Sequence, residues 1–183
     1  MIVESEAYLG VGDRAAHTWN GRRTARVAPM WGPGGRAYVY FVYGLHHCLN
    51  VVTKDEGEPE AVLLRAGVPE TLFSVSCLDA AAAEAAADRR KRAPRERADL
   101  LVASGPAKLC RYLQITTALS GASLSGPDLF LFPPLRNSLS SSLPLLVGPR
   151  VGVAYAGEAA RWPLRFALAG CPAVTHVASL RPA

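Results

Sequence analysis

The chain has 183 residues, of which 50% are hydrophobic and 19% charged, and its formal net charge is +5. These values are typical of one folded domain and exclude a wholly disordered chain. No apolar run approaches the roughly 18 residues that span a bilayer, so no membrane association is expected. The first residues include carboxylates where a signal peptide would carry cations, which predicts a cytoplasmic protein.

The four cysteines are spread widely along the chain and form no CxxC pair. Without a signal peptide, such spacing favours buried thiols in a reducing compartment over zinc ligands or a disulfide framework. We therefore predict buried thiols at Cys48, Cys77, Cys110 and Cys171.

The positive charge is concentrated in one segment. Residues 89–97 contain six cations and one anion, which accounts for the whole net charge of +5. Such a segment is typical of a protein with an anionic partner such as nucleic acid, and equally of a solvated charged loop. Residues 86–98 are therefore predicted to form a basic, mobile loop, and both interpretations stay open.

The first half of the chain predicts strands around a long irregular segment. Residues 2–9 alternate with period two, which places Glu4, Glu6 and Tyr8 on one face of a strand. Residues 10–36 are rich in Gly, Arg and Pro, and a loop of this length in a compact domain is more often functional than idle. Residues 37–44 are aromatic and β-branched, and residues 50–53 and 61–65 follow as partners, which predicts an antiparallel meander.

The second half predicts helices beside closing strands. Residues 78–88 are alanine-rich and favour a helix, and Ser104 is predicted to cap a short helix that starts near Pro106. Residues 120–149 form a Ser/Pro-rich loop region with one strand at 129–132, and residues 150–154 and 164–168 are predicted as closing strands. The expected fold is a single α+β domain over residues 1–183, built on a curved, mainly antiparallel sheet with flanking helices and long loops.

Common catalytic signatures are absent from the sequence. Glycine-rich nucleotide fingerprints and a complete nucleophile elbow do not occur. His46, His47 and Cys48 are adjacent on a predicted strand, where successive side chains point to opposite faces, so their joint binding of a metal is poor geometry. No metal site and no cofactor are predicted.

Aromatic and polar residues are dense in the first fifty positions. Each feature alone is more typical of ordinary packing or of a solvated side chain than of a site. Together they favour a pocket in which rings stack on a planar ligand beside one carboxylate. The residues concerned are Glu6, Tyr8, His17, Tyr38, Tyr40, Tyr43 and Asn50.

Ordered motifs along the chain resemble those of the alkyladenine (3-methyladenine) DNA glycosylase family. They run from the first residues nearly to the last, in the family's order. The motifs are ESEAYLG (4–10), AH (16–17), YVYFVYG (38–44), Asn50, VLLR (62–65), SGPAKLC (104–110), RVGV (150–153), AGE (156–158) and RWPLRF (161–166).

This resemblance implies a monomeric enzyme of base excision DNA repair, acting on double-stranded DNA in the cytoplasm or nucleoid. It would flip alkylated or deaminated purines out of the duplex and hydrolyse the N-glycosidic bond, leaving an abasic site. Glu6 would be the general base that activates the attacking water. Arg65 and the backbone near Val151 would help to hold that water.

The resemblance also implies which residues contact DNA. Tyr43 would intercalate from the minor groove, and Arg22 and His46 would contact the DNA backbone, although some relatives carry an aromatic ring at the position of His46. Asn50 would exclude normal guanine by crowding its exocyclic amino group. The base-binding pocket would be formed by Tyr8, His17, Tyr40, Asn50 and Val151.

Family members have strand and helix sequence ahead of the motif that opens this chain. The resemblance therefore predicts that the strand carrying Glu6 lacks neighbours, leaving core surface exposed or an edge unpaired. Two alternatives to an active glycosylase stay open: a lesion-binding protein whose catalysis is impaired by truncation, and an unrelated small-molecule enzyme on a similar sheet.

Overall fold

The structure, a computed structural model, describes residues 1–69, 102–133 and 143–183. The predicted helix at 78–88, the predicted basic loop at 86–98 and part of the Ser/Pro-rich region at 120–149 lie outside the described residues. No helix in the described ranges is long and apolar enough to cross a membrane.

Seven strands in the described ranges form one open sheet, and every pairing between neighbours is antiparallel. The strands are β1 (Ile2–Tyr8), β2 (Ala37–Val42), β3 (His46–Val52), β4 (Ala61–Gly67), β5 (Leu145–Gly148), β6 (Arg165–Leu168) and β7 (Arg181–Pro182). Their spatial order is β2-β3-β4-β1-β6-β5-β7. Helix α1 (Pro106–Tyr112) packs against β3 and β4, which confirms the α+β class.

Strand β1 lies in the interior of the sheet, between β4 and β6. Glu6 is opposite Leu63 on one side and Arg165 on the other. The prediction that the strand carrying Glu6 has an unpaired edge is therefore wrong. A segment more than 150 residues away in sequence supplies the second neighbour, and no local pattern reports such a pairing.

The predicted meander of β2, β3 and β4 is confirmed. Strand β2 ends at Val42, one residue before Tyr43, which adopts a φ of 53° in the tight turn that leads to β3. Tyr43 was predicted to lie on the strand and instead lies in this turn. Tyr43 is 91% exposed in this turn.

Two predicted strands in the second half are wrong. Residues 150–153 form a loop, because Pro149 has no N–H to donate and Gly152 takes a φ of 77°; the strand lies earlier, at Leu145–Gly148. Residues 129–132 contribute only an isolated bridge between Ser125 and Phe130, in a stretch bounded by Pro127 and Pro133.

The long segment after β1 is irregular, as predicted, but it is not featureless. Three 3₁₀ helices follow one another at Gly10–Gly12, Trp19–Gly21 and Ala25–Trp31. Helix α1 begins where predicted, but the N-cap is Gly105; Ser104 Oγ donates to the carbonyl of Ala173 instead, so the predicted Ser104 cap is wrong.

The cysteines of the described ranges include both free thiols and a disulfide-bonded residue. Cys48 and Cys110 are buried and free, as predicted, and burial raises the pKa of the Cys110 thiol to about 12. Cys171 is buried and disulfide-bonded, so the prediction of a free thiol is wrong there. Spacing in the sequence excludes only local pairs and cannot report which distant cysteines the fold brings together. Cys77 lies outside the described residues.

Candidate active site

The Glu6 carboxylate is fully buried and held by three donors. Oε1 accepts a hydrogen bond of 2.7 Å from the Val151 N–H and lies 3.2 Å from Arg65 Nη1. Oε2 accepts a hydrogen bond of 3.0 Å from the Tyr8 hydroxyl. Hydrogen bonds to an ionised carboxylate are strong and directional, so these contacts fix the orientation of the group.

Arg65 joins two carboxylates that project from the same face of β1. Its Nε donates to Glu4 Oε1 at 2.6 Å, and Arg165 Nε reaches the same oxygen at 2.9 Å. Burial by itself would lower the pKa of Arg65, but the charges of Glu6 and Glu4 raise it above its ordinary value. Two guanidinium groups thus face two carboxylates, which is the arrangement that makes buried charges tolerable.

A pocket of about 260 Å³ opens in front of this network. Glu6 lies behind its wall, because the three groups that hold the carboxylate are themselves on the pocket surface. Every residue predicted for the base-binding pocket lines it. These are Tyr8, His17, Tyr40, Asn50 and Val151, with Arg65 beside them.

Aromatic rings form one side of the pocket. The rings of His17 and Tyr40 meet edge to face, with centroids 4.6 Å apart, and Tyr38 lies 5.5 Å from Tyr40. The rings of Tyr38 and Tyr40 are close because the two residues are two positions apart on β2 and therefore share one face of the strand. His17 reaches them from the irregular segment after β1.

His17 is neutral at physiological pH. Burial lowers its pKa to about 4, and the nearby positive charges of Arg26 and Arg22 act in the same direction. Nδ1 lies 2.8 Å from the Tyr38 hydroxyl, whose pKa burial raises to about 12. The pocket therefore presents an uncharged imidazole ring to whatever binds there.

Asn50 is buried at the pocket wall with a fixed side chain. Its Nδ2 donates to the carbonyl of Tyr38 at 3.0 Å, across the β2–β3 pairing that places the two residues opposite each other. This bond uses one of the two amide protons of Asn50 and fixes the orientation of the other proton and of the side-chain oxygen.

Exposed apolar residues project from the β2–β3 hairpin next to the pocket. Tyr43 lines the pocket edge and is 91% exposed, and Leu45 in the same turn is 74% exposed. Arg22 and His46, the residues predicted to contact the DNA backbone, are exposed. Arg26 stacks over the Tyr40 ring at 5.3 Å and donates to the carbonyl of Phe41.

His46, His47 and Cys48, for which no joint metal site was predicted, have different surroundings. The His47 ring packs on Phe41 with centroids 4.8 Å apart, whereas Cys48 lies in the pocket wall. In the described ranges, no three His, Cys, Asp or Glu side chains are grouped so that they could hold a metal ion.

The sequence-based predictions missed several residues at the pocket, among them one tyrosine and one ion pair. Tyr155 lines the pocket, and Asp13 and Arg150 form a buried ion pair beside it. Arg150 belongs to a motif of the resemblance, but its partner is 137 positions away. No spacing or periodicity in the sequence could have joined them.

The chain matches the family model described as methylpurine-DNA glycosylase (MPG) over residues 1–172. It belongs to the methylpurine-DNA glycosylase family. This family membership confirms the resemblance seen in the motifs and the prediction of a DNA glycosylase, an enzyme of DNA repair whose substrate is DNA.

Curated bacterial proteins are similar to this chain over most of its length. A protein of Desulfitobacterium hafniense (strain Y51) is 41% identical over 170 residues, covering 91% of this chain and 77% of the relative. One of Bacillus thuringiensis (strain Al Hakam) is 40% identical over 182 residues, covering 96% of this chain and 82% of the relative. Both carry the name "Putative 3-methyladenine DNA glycosylase".

Proposed function

We propose that this glycosylase, acting as a monomer, excises alkylated or deaminated purines, 3-methyladenine among them, from double-stranded DNA and leaves an abasic site. The observation that carries the proposal is the position of Glu6. Its carboxylate lies directly behind an aromatic pocket and is oriented by three groups that line that pocket.

The target nucleotide leaves the duplex before it reacts. A base stacked inside the duplex cannot enter the pocket, so the nucleotide is extruded, which costs a few kcal/mol of lost stacking and pairing. Tyr43 is suited to fill the gap from the minor groove, since the residue is 91% exposed in a tight turn beside the pocket. The exposed side chains of Arg22 and His46 contact the DNA backbone.

The pocket selects damaged purines by stacking and by charge. Stacking of a base on aromatic rings contributes about 1–3 kcal/mol, here from Tyr8, His17 and Tyr40. A cationic alkylated purine is also attracted to the π faces of these rings. The low pKa of His17, about 4, matters for this, because a protonated imidazole would repel such a cation. Asn50 crowds the exocyclic amino group of normal guanine.

Glu6 acts as the general base on the attacking water. Among the described residues, Tyr8 is the group that donates to Oε2, and a carboxylate oxygen has a second acceptor position that a water can occupy. The water attacks the sugar carbon, the glycosidic electron pair departs with the purine, and Glu6 takes the proton of the water. Arg65 and the backbone near Val151 hold the carboxylate and the water in position for this attack.

The strand is not cut in this reaction. A glycosylase that also cleaves the strand uses an amine nucleophile, and neither lysine of the described ranges, Lys54 or Lys108, lines the pocket. Displacement by water in a single step leaves no covalent intermediate.

A duplex with a single hypoxanthine tests the proposal. The wild-type protein is incubated with it, the DNA is treated with alkali, and strand breaks are counted. Glu6→Gln keeps the size of the side chain and removes the base, so we expect the excision rate to fall about 100- to 10,000-fold. Glu158→Gln, at an exposed position, is the matched control and should excise at the wild-type rate.

Three results would contradict parts of this mechanism. DNA binding by the wild type without alkali-sensitive breaks would make it a lesion-binding protein. Excision that survives in Glu6→Gln would remove Glu6 as the base. Breaks that form without alkali would show that the enzyme also cleaves the strand.

A further inference from the structure

A buried ion pair that the proposed chemistry does not use joins two walls of the pocket. Asp13 is 0% exposed and Arg150 is 5% exposed. Arg150 Nη2 donates to Asp13 Oδ1 at 2.9 Å, and Nη1 donates to Oδ2, so the contact is bidentate. Burial would raise the pKa of Asp13, but hydrogen bonds from Arg150 and from the backbone of Ala15 and Leu9 hold it below its ordinary value.

Asp13 organises the wall that carries His17. Its carboxylate accepts the N–H of Leu9 at 3.1 Å and the N–H of Ala15 at 2.9 Å. These bonds close the turn that leaves β1, and His17 follows two residues after Ala15. The position of the first wall thus depends on the Asp13 side chain.

Arg150 precedes Val151, which lines the pocket, and reaches the strand that carries the carboxylate. Nη1 donates to the carbonyl of Ala7, which lies between Glu6 and Tyr8, at 2.8 Å. The guanidinium carbon lies 4.7 Å from the centre of the Tyr8 ring. The next residue in the chain, Val151, donates its N–H to Glu6. One anchored side chain is therefore adjacent to two of the three donors that hold the Glu6 carboxylate.

We propose that the Asp13–Arg150 pair positions Glu6 for catalysis by holding the Val151 N–H and the Tyr8 ring against it. The inference rests on the proposed function of Glu6. Asp13 and Arg150 are positioning residues, because they act through Val151 and Tyr8 and not on the substrate. Misplacement of a catalytic group by about 1 Å costs about 100-fold in rate, so loss of the pair slows excision far more than it weakens DNA binding.

Two variants of the ion pair, compared with a control, distinguish an effect on the position of Glu6 from an effect on the stability of the fold. Asp13→Asn keeps the size of the side chain and removes its charge. Arg150→Lys keeps the positive charge and removes the two-pronged contact. Leu124→Ala, a cavity in a hydrophobic cluster on another part of the fold, is the control for reduced stability alone. If one of the two ion-pair variants fails to fold, the same measurements are made on the other.

Three quantities are measured below the melting temperature of every variant: the single-turnover excision rate at saturating DNA, the Kd for a duplex with a stable abasic-site analogue, and the hydrogen-exchange rate of the Val151 amide. We expect each pair variant to lose about 100-fold in excision rate, with a Kd within about threefold of wild type and faster exchange at Val151. Leu124→Ala should retain its excision rate and its protection at Val151.

The proposal is overturned if a pair variant loses no more excision activity than Leu124→Ala, if rate and binding fall together, or if Val151 stays as protected as in the wild type. A wild-type rate in Arg150→Lys would also overturn it, since charge alone would then suffice. Absence of excision by the wild type would defeat the proposed function, and the exchange of Val151 would still decide whether the pair positions that amide.

Discussion

His17 shows how single residues of the pocket depend on several parts of the chain. The side chain follows the turn after β1, contacts two tyrosines of β2, and lies near Arg22 and Arg26. Burial and these two cations together lower its pKa to about 4. The resemblance implied a stacking role for His17, but its charge state could not be predicted, because burial and neighbouring charges are set by the fold.

The low pKa of His17 predicts a pH dependence of stability. The pKa rises from about 4 in the folded protein to 6.5, the ordinary value, in the unfolded chain. Between these values the unfolded chain binds more protons, so the free energy of unfolding decreases as the pH falls through this window. His17→Gln lacks this contribution, and we expect its decrease in stability between pH 7 and pH 4.5 to be smaller than that of the wild type.

Urea unfolding at both pH values measures this difference. His46→Gln, at an exposed histidine, is the control and should lose as much stability as the wild type. An equal decrease in His17→Gln and wild type would show that the ring titrates normally in the folded protein.

At the scale of elements, local patterns predicted most pieces of the sheet and failed where glycine and proline interrupt the chain. Strands β1 to β4, β6 and the start of α1 follow from alternation and from Pro106. The predicted strand at 150–154 was wrong because Pro149 and Gly152 break extended backbone. The capping of α1 was missed because Gly105, and not Ser104, takes the N-cap position.

Gly105 leads to a prediction about this helix. Its φ of 98° and ψ of 151° lie in a region that only glycine adopts without strain, although no atom blocks a Cβ there. We expect Gly105→Ala to lower the free energy of unfolding by about 1–3 kcal/mol. Gly12→Ala, where φ is not positive and the space is also open, should change it by less than about 0.5 kcal/mol. Urea unfolding that shows equal effects in the two variants would contradict this account.

At the scale of the whole molecule, positive charge lies both at the pocket and in a separate segment. Arg14, Arg22 and Arg26 are exposed near the pocket, whereas the six cations of residues 89–97 lie outside the described residues. Each phosphate contact releases counterions, so DNA binding should weaken steeply as salt concentration rises.

Replacing the six cations of residues 89–97 by glutamine tests whether this segment binds DNA. We expect the slope of log K against log salt to decrease by about 0.9 for each phosphate that the segment neutralises in the wild type. Lys108→Gln, at an exposed position on α1, is the control and should keep the wild-type slope. An unchanged slope in the multiple variant would make the segment a solvated surface.

The sequence by itself determined the α+β class, most of the strands and, through its motifs, the family and the residues that line the pocket. These depend on local periodicity and on residue identity, which a sequence displays directly. Only the tertiary structure decided that β1 lies between β4 and β6, that Arg65 joins Glu4 to Glu6, and that Asp13 pairs with Arg150. These contacts join residues far apart in the chain, and their partners are chosen by packing and by the need of buried charges for opposite ones.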